Sequence, residues 1–331
     1  ICRKGLSVLC NPMEKKKIYV IVGPTASGKT AAAVEVAEMM NAALGKNAAE
    51  IVSADSIQIY RGLDIGSAKP NEEEKRGIVH HLLDVTDYTD PSYNVAVYRE
   101  NAVKTVDDII SRGGIPIVVG GTGLYINSIV YPLNFSEAEP DFKRREELAY
   151  MEQQSPGILL SMLSEFDPQT AARLHPNDTK RIIRAIEVYE RTGEPLSSAC
   201  GDFKNEKGLE IEFEPIMAGL NMPRALLYER IEMRIDKMLE NGLVDEVRSV
   251  LSQNPDRKLP ALQGLGYKQI IMYLDGVCSF DDAVYLIKRD TRRFAKRQIS
   301  WFKRDKRIRW FDPTEYSGNG LAKAIYEYFT D

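Results

Sequence analysis

The sequence predicts an α/β fold whose mostly parallel sheet is interrupted by an all-helical insertion. Short β-branched runs alternate with helical segments, which is the pattern of strand–helix–strand units. These runs are apolar throughout, as expected of strands that are covered on both faces. Between residues 141 and 192, by contrast, only helical periodicity is present. The alternation predicts the core, and the break in it predicts the insertion.

The predicted core has two halves. In the first half, buried strands are expected at residues 18–22, 50–54 and 115–119, with helices at 29–40 and 92–112. In the second half, strands are expected at residues 209–220 and 308–311, with a helix at 223–241. A long basic helix is expected to follow Ser279, which forms a capping box with Asp282.

The helical insertion is predicted to span residues 134–210, so that the core comprises residues 13–133 and 211–331. Asn177 is expected to cap a helix that ends at Gly193, and residues 193–209 have the composition of a polar loop. Residues 1–12 are interpreted as a non-native leader, because Met13 and the charged run after it are typical of a natural start.

Composition excludes several classes of protein. Of the 331 residues, 44% are hydrophobic and 28% are charged, as in globular proteins. No apolar run approaches the roughly 20 residues that cross a bilayer, so we expect no membrane partner and a cytoplasmic location. The four cysteines are scattered and only three histidines are present, so a structural zinc site is not expected.

Charge is distributed unevenly along the chain. The formal net charge is −4, which argues against a uniformly basic nucleic-acid-binding protein. Between residues 286 and 310, however, 11 Lys or Arg residues occur with two acids, a local net charge of +9. Such a segment indicates a surface that meets a polyanion, and the alternative is a solvated basic helix without a partner.

Residues 23–30 match the phosphate-binding pattern G-x-x-x-x-G-K-[ST] between a strand and a helix. The glycines let backbone N–H groups wrap a diphosphate, Lys29 neutralises phosphate charge, and Thr30 offers a hydroxyl to Mg²⁺. We therefore expect the whole P-loop to bind diphosphate, namely Gly23, Pro24, Thr25, Ala26, Ser27, Gly28, Lys29 and Thr30. An NTPase would also end a nearby strand with an acid for Mg²⁺. Residues 115–119 lead instead into Gly120-Gly121-Thr122, which disfavours a simple ATPase.

Two polar residues follow the second predicted strand. The ligand crevice of an open α/β sheet lies beyond the carboxyl ends of its strands, so Asp55 is expected beside the P-loop. Its carboxylate suits a Mg²⁺ ligand, a ribose contact or a general base, and the alternative is a turn-forming Asp. Gln58 carries an amide donor and an acceptor that suit an adenine edge.

Seven blocks of sequence carry a resemblance to a known family. They are GPTASGKT (23–30), SADSIQIYRGLDIGSAKP (53–70), HHLLD (80–84), GGTGLYI (120–126), HPNDTKRIIRAIEVYERTG (175–193), GLGYKQ (264–269) and RRFAKRQISWFKRD (292–305). In this order they closely resemble the tRNA dimethylallyltransferases, the bacterial tRNA isopentenyltransferases. The resemblance covers nearly the whole chain.

The resemblance implies an activity and a set of site residues. The activity is transfer of a dimethylallyl group from dimethylallyl diphosphate to N6 of the adenosine 3′ of the anticodon in tRNA, with release of diphosphate. The fold implied is a P-loop NTPase-like core with a helical insertion, with Mg²⁺ as cofactor and Thr30 as its ligand. Asp55 matches the general base, Thr122 a residue near the reacting centre, and Arg234 an arginine on the diphosphate. Without the resemblance, Arg234 would be interpreted as a surface helix arginine.

The resemblance also implies contact with the tRNA anticodon stem-loop, and we expect the protein to be a monomer. The matching residues are Asp55, Ser56, Ile57, Gln58, Lys143, Arg144, Lys180, Arg181, Ile182, Ile183 and Arg184. Lys268, Arg292, Arg293 and Arg297 are also expected to contact tRNA, as cations that suit its backbone phosphates. The role of Ile57 and the choice between Lys143 and Arg144 stay open. Trp301 and Phe302 suit either base stacking or core packing. The target adenine is expected to flip out of the anticodon stack.

Two other functions fit parts of the pattern. A small-molecule P-loop enzyme, either a kinase or an isopentenyltransferase acting on free adenine nucleotides, would account for the P-loop. Such an enzyme needs neither the helical insertion nor the basic segment. A non-enzymatic RNA-binding P-loop scaffold would leave Asp55 and Thr122 unexplained.

Overall fold

The computed structural model describes most of the chain, namely residues 15–131, 141–199 and 212–331. The chain divides into two units, of which the first runs up to Val130 and resumes at Ile211, and the second is Tyr131–Glu210. The predicted leader and the two predicted domain boundaries lie outside the described residues.

A six-stranded parallel sheet forms the centre of the first unit; the sequence predicts a mostly parallel sheet and five of these strands. The strands in chain order are β1 (Lys16–Val22), β2 (Ala49–Ser53), β3 (Tyr60–Arg61), β4 (His80–His81), β5 (Thr86–Asp87), β6 (Ile115–Gly120), β7 (Phe213–Leu220) and β8 (Ile308–Phe311). The sheet order is β4-β2-β6-β1-β7-β8, and β3 pairs separately with β5. The strand that precedes the P-loop therefore lies in the middle of the sheet.

Helices of the first unit pack around this sheet. They are α1 (Lys29–Leu44), α2 (Glu72–Lys75), α3 (Val95–Ser111), α4 (Gly123–Val130), α10 (Arg224–Glu240), α11 (Leu243–Leu251), α12 (Tyr267–Leu274), α13 (Phe280–Phe302) and α14 (Gly320–Thr330). Short 3₁₀ turns lie at Pro260–Gln263 and Pro313–Glu315. A buried cluster joins α1 and α14 to the sheet and includes Ile21, Val36, Ile117, Ile325 and Phe329. Each such side chain contributes about 1.5–3 kcal/mol on burial.

The second unit is helical where it is described. Its helices are α5 (Phe142–Gln154), α6 (Ile158–Phe166), α7 (Pro168–Arg173), α8 (Thr179–Thr192) and α9 (Leu196–Ala199). Leu148, Leu159, Leu163, Ile182 and Ile186 form its core. This agrees with the helical periodicity of residues 141–192.

Local chemistry explains where the predicted element boundaries differ from the structure. The Asn94 side chain accepts hydrogen bonds from the N–H groups of Ala96 and Val97, so α3 begins after Asn94 rather than at residue 92. The prediction that Asn177 caps α8 is wrong: Asp178 occupies the N-cap. Residues 193–209 were expected to be loop, yet four of them form α9. The capping box of Ser279 and Asp282 is confirmed.

Candidate active site

The P-loop connects β1 to α1 in a tightly curved conformation. Gly28 occupies the N-cap of α1 with φ 90°, which favours glycine, and Ala26 has φ 62°. The Ser27 side chain is buried behind the loop. The N-terminus of α1 thus opens on one side of the loop and gives its backbone N–H groups to an anion there.

A cavity of about 1040 Å³ lies at the carboxyl ends of the central strands. This volume is at the top of the usual range of ligand sites, roughly 300–1,000 Å³, so two small reactants fit side by side. It brings together many of the predicted site residues: Thr25, Ala26, Gly28, Lys29, Thr30, Asp55, Ser56, Ile57, Gln58, Thr122, Arg234 and Arg297. Gly23, Pro24 and Ser27 belong to the P-loop but do not line the cavity.

Two cations of the cavity have perturbed acidity. Burial, and then the Arg234 guanidinium, lower the pKa of Lys29 to about 7, against an opposing effect of Asp55. Burial also lowers the pKa of Arg234, again opposed by Asp55. Lys29 Nζ donates a hydrogen bond to the Pro24 carbonyl at 2.7 Å. Within the described residues neither cation forms an ion pair, so both are available to an anionic ligand.

The Asp55 carboxylate is oriented by its own turn. Its Oδ1 accepts hydrogen bonds from the N–H groups of Ile57, at 2.9 Å, and of Gln58, at 3.3 Å. In the part of the chain that the structure describes, Oδ2 accepts no hydrogen bond. The turn geometry that the sequence allowed for Asp55 therefore coexists with one carboxylate oxygen that is available to a ligand in the cavity.

Thr122 fixes the turn that carries Asp55. Its Oγ1 accepts a hydrogen bond from the Ser56 N–H at 3.1 Å, and its own N–H donates to the Ala54 carbonyl at 3.3 Å. These two bonds hold the residues on either side of Asp55. Thr122 thus acts on the position of Asp55 through the backbone.

The Gln58 side chain has a structural role that was not predicted from the sequence, because it connects β2 to the loop at residues 67 and 68. Its Nε2 donates to the carbonyls of Ser67, at 3.3 Å, and Ala68, at 3.0 Å, and its Oε1 accepts from Ser53 Oγ at 3.3 Å. These bonds engage both ends of the amide within the protein, and contact of Gln58 with an adenine edge stays a prediction.

Glu246 on α11 was missed by sequence reasoning. Its carboxylate accepts three backbone hydrogen bonds, at 2.7 to 3.0 Å, from Asp64, Ile65 and Gly66, and one from Tyr267 Oη at 2.7 Å. Residues 64–66 line the cavity, so Glu246 fixes one of its walls. An isolated glutamate far along the chain carries no local signal of such a role.

Some arginines of the basic segment, residues 286–310, have acidic partners, so fewer of its positive charges are available to a ligand than the composition indicates. Arg292 pairs with Glu232, and Arg293 lies 3.7 Å from Asp290. Lys268 is exposed, and Arg297 lines the cavity. Phe302 is buried, so core packing is the correct alternative for it. A Cβ on Gly123 would overlap the half-buried ring of Trp301, so this ring packs on the loop after β6.

The predicted tRNA-contacting residues of the helical unit fall into three groups. Lys143, Lys180 and Arg181 are exposed, although Arg181 also lies 3.1 Å from Asp178. Arg144 pairs with Glu190 and Arg184 with Glu187. The side chains of Ile182 and Ile183 are buried in the core of the unit. Packing against α5 and α6 withdraws these two side chains from the surface, and contact of residues 182 and 183 with tRNA stays a prediction.

The candidate metal ligands in the cavity are oxygen atoms. In residues 15–131, 141–199 and 212–331, no cluster of three or more His, Cys, Asp or Glu residues is arranged to hold a metal ion. The Thr30 hydroxyl and the Asp55 carboxylate both line the cavity, and such hard oxygens suit Mg²⁺ when substrate phosphates supply further ligands. No helix among the described residues is long and apolar enough to span a bilayer.

A parallel sheet with its P-loop between the central strand and α1, and the Asp55 carboxylate in the lining of the same cavity, is the arrangement of an enzyme that acts on a phosphorylated substrate. The IPP transferase family model matches residues 58–305. The chain belongs to this family of tRNA dimethylallyltransferases.

Individual relatives extend over most of the chain. It is 44% identical to the tRNA dimethylallyltransferase of Alkaliphilus oremlandii, over 95% of this chain and 97% of the relative. It is 46% identical to that of Carboxydothermus hydrogenoformans, over 94% and 96%. The solved tRNA isopentenylpyrophosphate transferase of Bacillus halodurans is 37% identical with a TM-score of 0.69, over 96% of both chains. A eukaryotic dimethylallyltransferase acting on tRNA is 27% identical with a TM-score of 0.75, over 94% of this chain and 78% of its own.

Proposed function

We propose that the protein transfers the dimethylallyl group of dimethylallyl diphosphate to N6 of the adenosine 3′ of the anticodon in tRNA. The names of its relatives support the activity and its two substrates. The observation that carries the proposal is that one cavity holds the P-loop, two unpaired cations and the Asp55 carboxylate. A phosphate-bearing donor and a weakly nucleophilic amine are the substrates that need this combination.

In the proposed reaction, N6 attacks C1 of the dimethylallyl group while the bond from C1 to the diphosphate oxygen breaks. The diphosphate leaves with the bonding electron pair, and Asp55 accepts a proton from N6. The lone pair of N6 is delocalised into the ring, so an aligned base contributes about 10²–10⁴-fold. The uncommitted Oδ2 of Asp55 suits this task.

The leaving diphosphate gains negative charge as the bond breaks. Lys29, Arg234 and the P-loop N–H groups face that charge in a partly enclosed cavity, where electrostatic stabilisation is strong. Mg²⁺ held by the Thr30 hydroxyl and the donor's phosphate oxygens would neutralise further charge on the diphosphate. The oxygen donors of the cavity support this cofactor.

The proposed macromolecular substrate is the anticodon stem-loop of tRNA. Exposed cations suit its phosphates, and Lys143, Lys180 and Lys268 are exposed and form no ion pair with a described residue. We propose a cytoplasmic monomer, whose mass in solution is measurable by light scattering. Binding of tRNA that does not weaken with rising salt would contradict a phosphate-dominated footprint.

One assay separates this function from its rivals. The protein is incubated with labelled dimethylallyl diphosphate and Mg²⁺, together with either tRNA or AMP. Label on tRNA, at the adenosine 3′ of the anticodon, is the expected result. Label on AMP alone would assign the protein to free nucleotides, and label on neither would leave a kinase or a non-enzymatic scaffold.

A further inference from the structure

Gln298 bridges two loops of the candidate active site from a distant position in the chain. It lies on α13 and is buried, with 7% of its surface exposed. Its Oε1 accepts a hydrogen bond from the Thr25 N–H in the P-loop at 2.9 Å. Its Nε2 donates to the Gly121 carbonyl, also at 2.9 Å. A single side chain thus ties the P-loop to the loop that follows β6.

The second loop is shaped around α13. A Cβ on Gly121 would overlap Gln298 Nε2, and its next neighbour would be the Gly23 carbonyl at 3.3 Å. Two residues later, the space of a Gly123 side chain is filled by Trp301. Gln298 and Trp301 are three residues apart and so lie on one face of the helix. That face covers the backbone on either side of Thr122.

The same contacts continue to the carboxylate. Thr122 follows Gly121 directly and holds the backbone of Ala54 and Ser56, which flank Asp55. Starting from the P-loop, the connected groups are Thr25 N–H, the Gln298 amide, the Gly121 carbonyl, Thr122 and the Asp55 turn. The strands before these loops are already held together by the pairing of β1 and β2 with β6, and beyond the strand ends the Gln298 amide links the diphosphate-binding loop to the loop that holds the carboxylate.

We propose that Gln298 is a positioning residue, which sets the spacing between the P-loop and the Thr122 loop and thereby aligns the donor's C1 with the acceptor beside Asp55. The inference rests on the proposed function and adds a residue to it. Gln298 also lines the cavity, but both ends of its amide are engaged by the two loops, so it acts through Thr25 and Thr122. Group transfer is sensitive to such spacing, since a misplacement of about 1 Å costs on the order of 10²-fold in rate.

The amide chemistry makes the proposal testable. Glutamine supplies one acceptor and one donor in the required directions. Gln298→Met keeps the length and loses both bonds. Gln298→Glu keeps the acceptor for Thr25 but, when ionised, has no donor for the Gly121 carbonyl. We expect both variants to be impaired and a variant of the exposed Ser300 on the same helix, Ser300→Ala, to match the wild type.

The first experiment measures steady-state and single-turnover prenyl transfer for the wild type, Gln298→Met, Gln298→Glu and Ser300→Ala. In both Gln298 variants we expect kcat to fall about 10- to 100-fold. The KM for dimethylallyl diphosphate should rise, because the P-loop loses a support, while the tRNA dissociation constant stays within about threefold. A merely structural role would lower the melting temperature and the active fraction but leave single-turnover rates of the folded fraction unchanged. That result would overturn the proposal.

A double-mutant cycle tests the contact itself. Gly121→Ala places a methyl group against Gln298, so alone it is expected to lower activity strongly. In the Gln298→Ala background the obstruction is absent, and the same substitution should cost at least fivefold less. Equal effects of Gly121→Ala in the two backgrounds would contradict the contact.

Failure of the proposed function would be recognised separately. If the wild type prenylates no tRNA, the proposed function is wrong. The positioning role is then judged from calorimetric binding of dimethylallyl diphosphate to the wild type and to Gln298→Met. Weaker binding to the variant supports the role, and equal binding excludes it.

Discussion

Two groups of basic residues in this molecule differ in whether they pair with a carboxylate. In the helical unit, Arg145 and Arg184 lie 2.8 and 2.6 Å from the buried carboxylate of Glu187. In the cavity of the other unit, Lys29 and Arg234 are similarly enclosed near Asp55, yet in the described part of the chain neither forms an ion pair.

The two carboxylates differ accordingly. Burial would raise the pKa of Glu187, but hydrogen bonds from Arg145, Arg184 and the Asp141 N–H outweigh it and lower the pKa to about 2. Asp55 receives two N–H hydrogen bonds on one oxygen only. Complete pairing marks a group that stabilises the fold, and incomplete pairing inside a cavity marks a group that serves a ligand. The following experiments test that distinction in order of expected effect.

Exchange of the incompletely paired carboxylate is expected to have the largest effect. Asp55→Asn retains an oxygen for the N–H groups of Ile57 and Gln58 but removes the proton acceptor. We expect the single-turnover rate of prenyl transfer to fall about 10²–10⁴-fold, with tRNA affinity and melting temperature near those of the wild type. A rate within threefold of the wild type would remove Asp55 as the base.

Removal of an unpaired cation ranks next. Arg234→Gln is expected to lower kcat/KM for dimethylallyl diphosphate about 10²-fold, because a preorganised hydrogen-bond donor to the leaving diphosphate is lost. Its melting temperature should be unchanged or higher, since this removes a half-buried charge that forms no ion pair with a described residue. A clear loss of stability without loss of activity would show that Arg234 is structural.

Exchange of the fully paired carboxylate of Glu187 is expected to lower stability and to leave activity unchanged. Glu187→Gln keeps the shape of the side chain but leaves Arg145 and Arg184 without their acid. We expect the free energy of unfolding to fall by about 1–3 kcal/mol, because both arginines are about a third exposed and solvent offsets part of the loss. The kcat of the folded enzyme should not change, and denaturant titration beside a turnover assay measures both.

The pH dependence of that stability has a defined sign. The pKa of Glu187 is lower in the folded protein than in the unfolded chain, so its contribution is complete above about pH 4.5 and is lost as the pH falls towards 2. Glu187→Gln should therefore lack this part of the acid denaturation. Parallel acid titrations of the two proteins would contradict the assignment.

The smallest expected effect concerns Lys29. With a pKa of about 7, Lys29 is charged below that pH and increasingly neutral above it. In the wild type, the affinity for dimethylallyl diphosphate should therefore weaken between pH 6 and pH 8.5. The decrease should be several-fold larger than in Lys29→Met, which lacks this titrating group. Calorimetry at several pH values measures the difference. Identical pH profiles in the two proteins would show that Lys29 does not change its charge in this range.

Features with a local cause were predictable from the sequence. The strand before the P-loop, its Gly-Lys-Thr turn and the position of Asp55 after β2 each follow from a few adjacent residues. Strand β4 was not expected, because two histidines that pair over two residues with β2 carry no β-branched signal.

Features that depend on distant partners were not predictable. Glu246 and Gln298 are ordinary polar residues until the fold brings them to the backbone of Gly66 and Gly121. The same holds for Gln58, whose amide is satisfied by a loop that its own sequence does not specify. Ion pairs with distant acids also decide which basic residues are available to a ligand, and a count of charges in the sequence does not show which pairs form.

The order of strands in the sheet has a consequence for synthesis of the chain. Strand β1 emerges first from the ribosome, yet one of its two neighbours in the sheet is β7, which begins only at Phe213. At about 5–20 residues per second, the nascent β1 waits on the order of ten seconds or more for that neighbour. Gln298 arrives later still. The edge of β1 that pairs with β7 therefore stays without its native neighbour for that time, and the donor site is complete only after residue 298 has been synthesised.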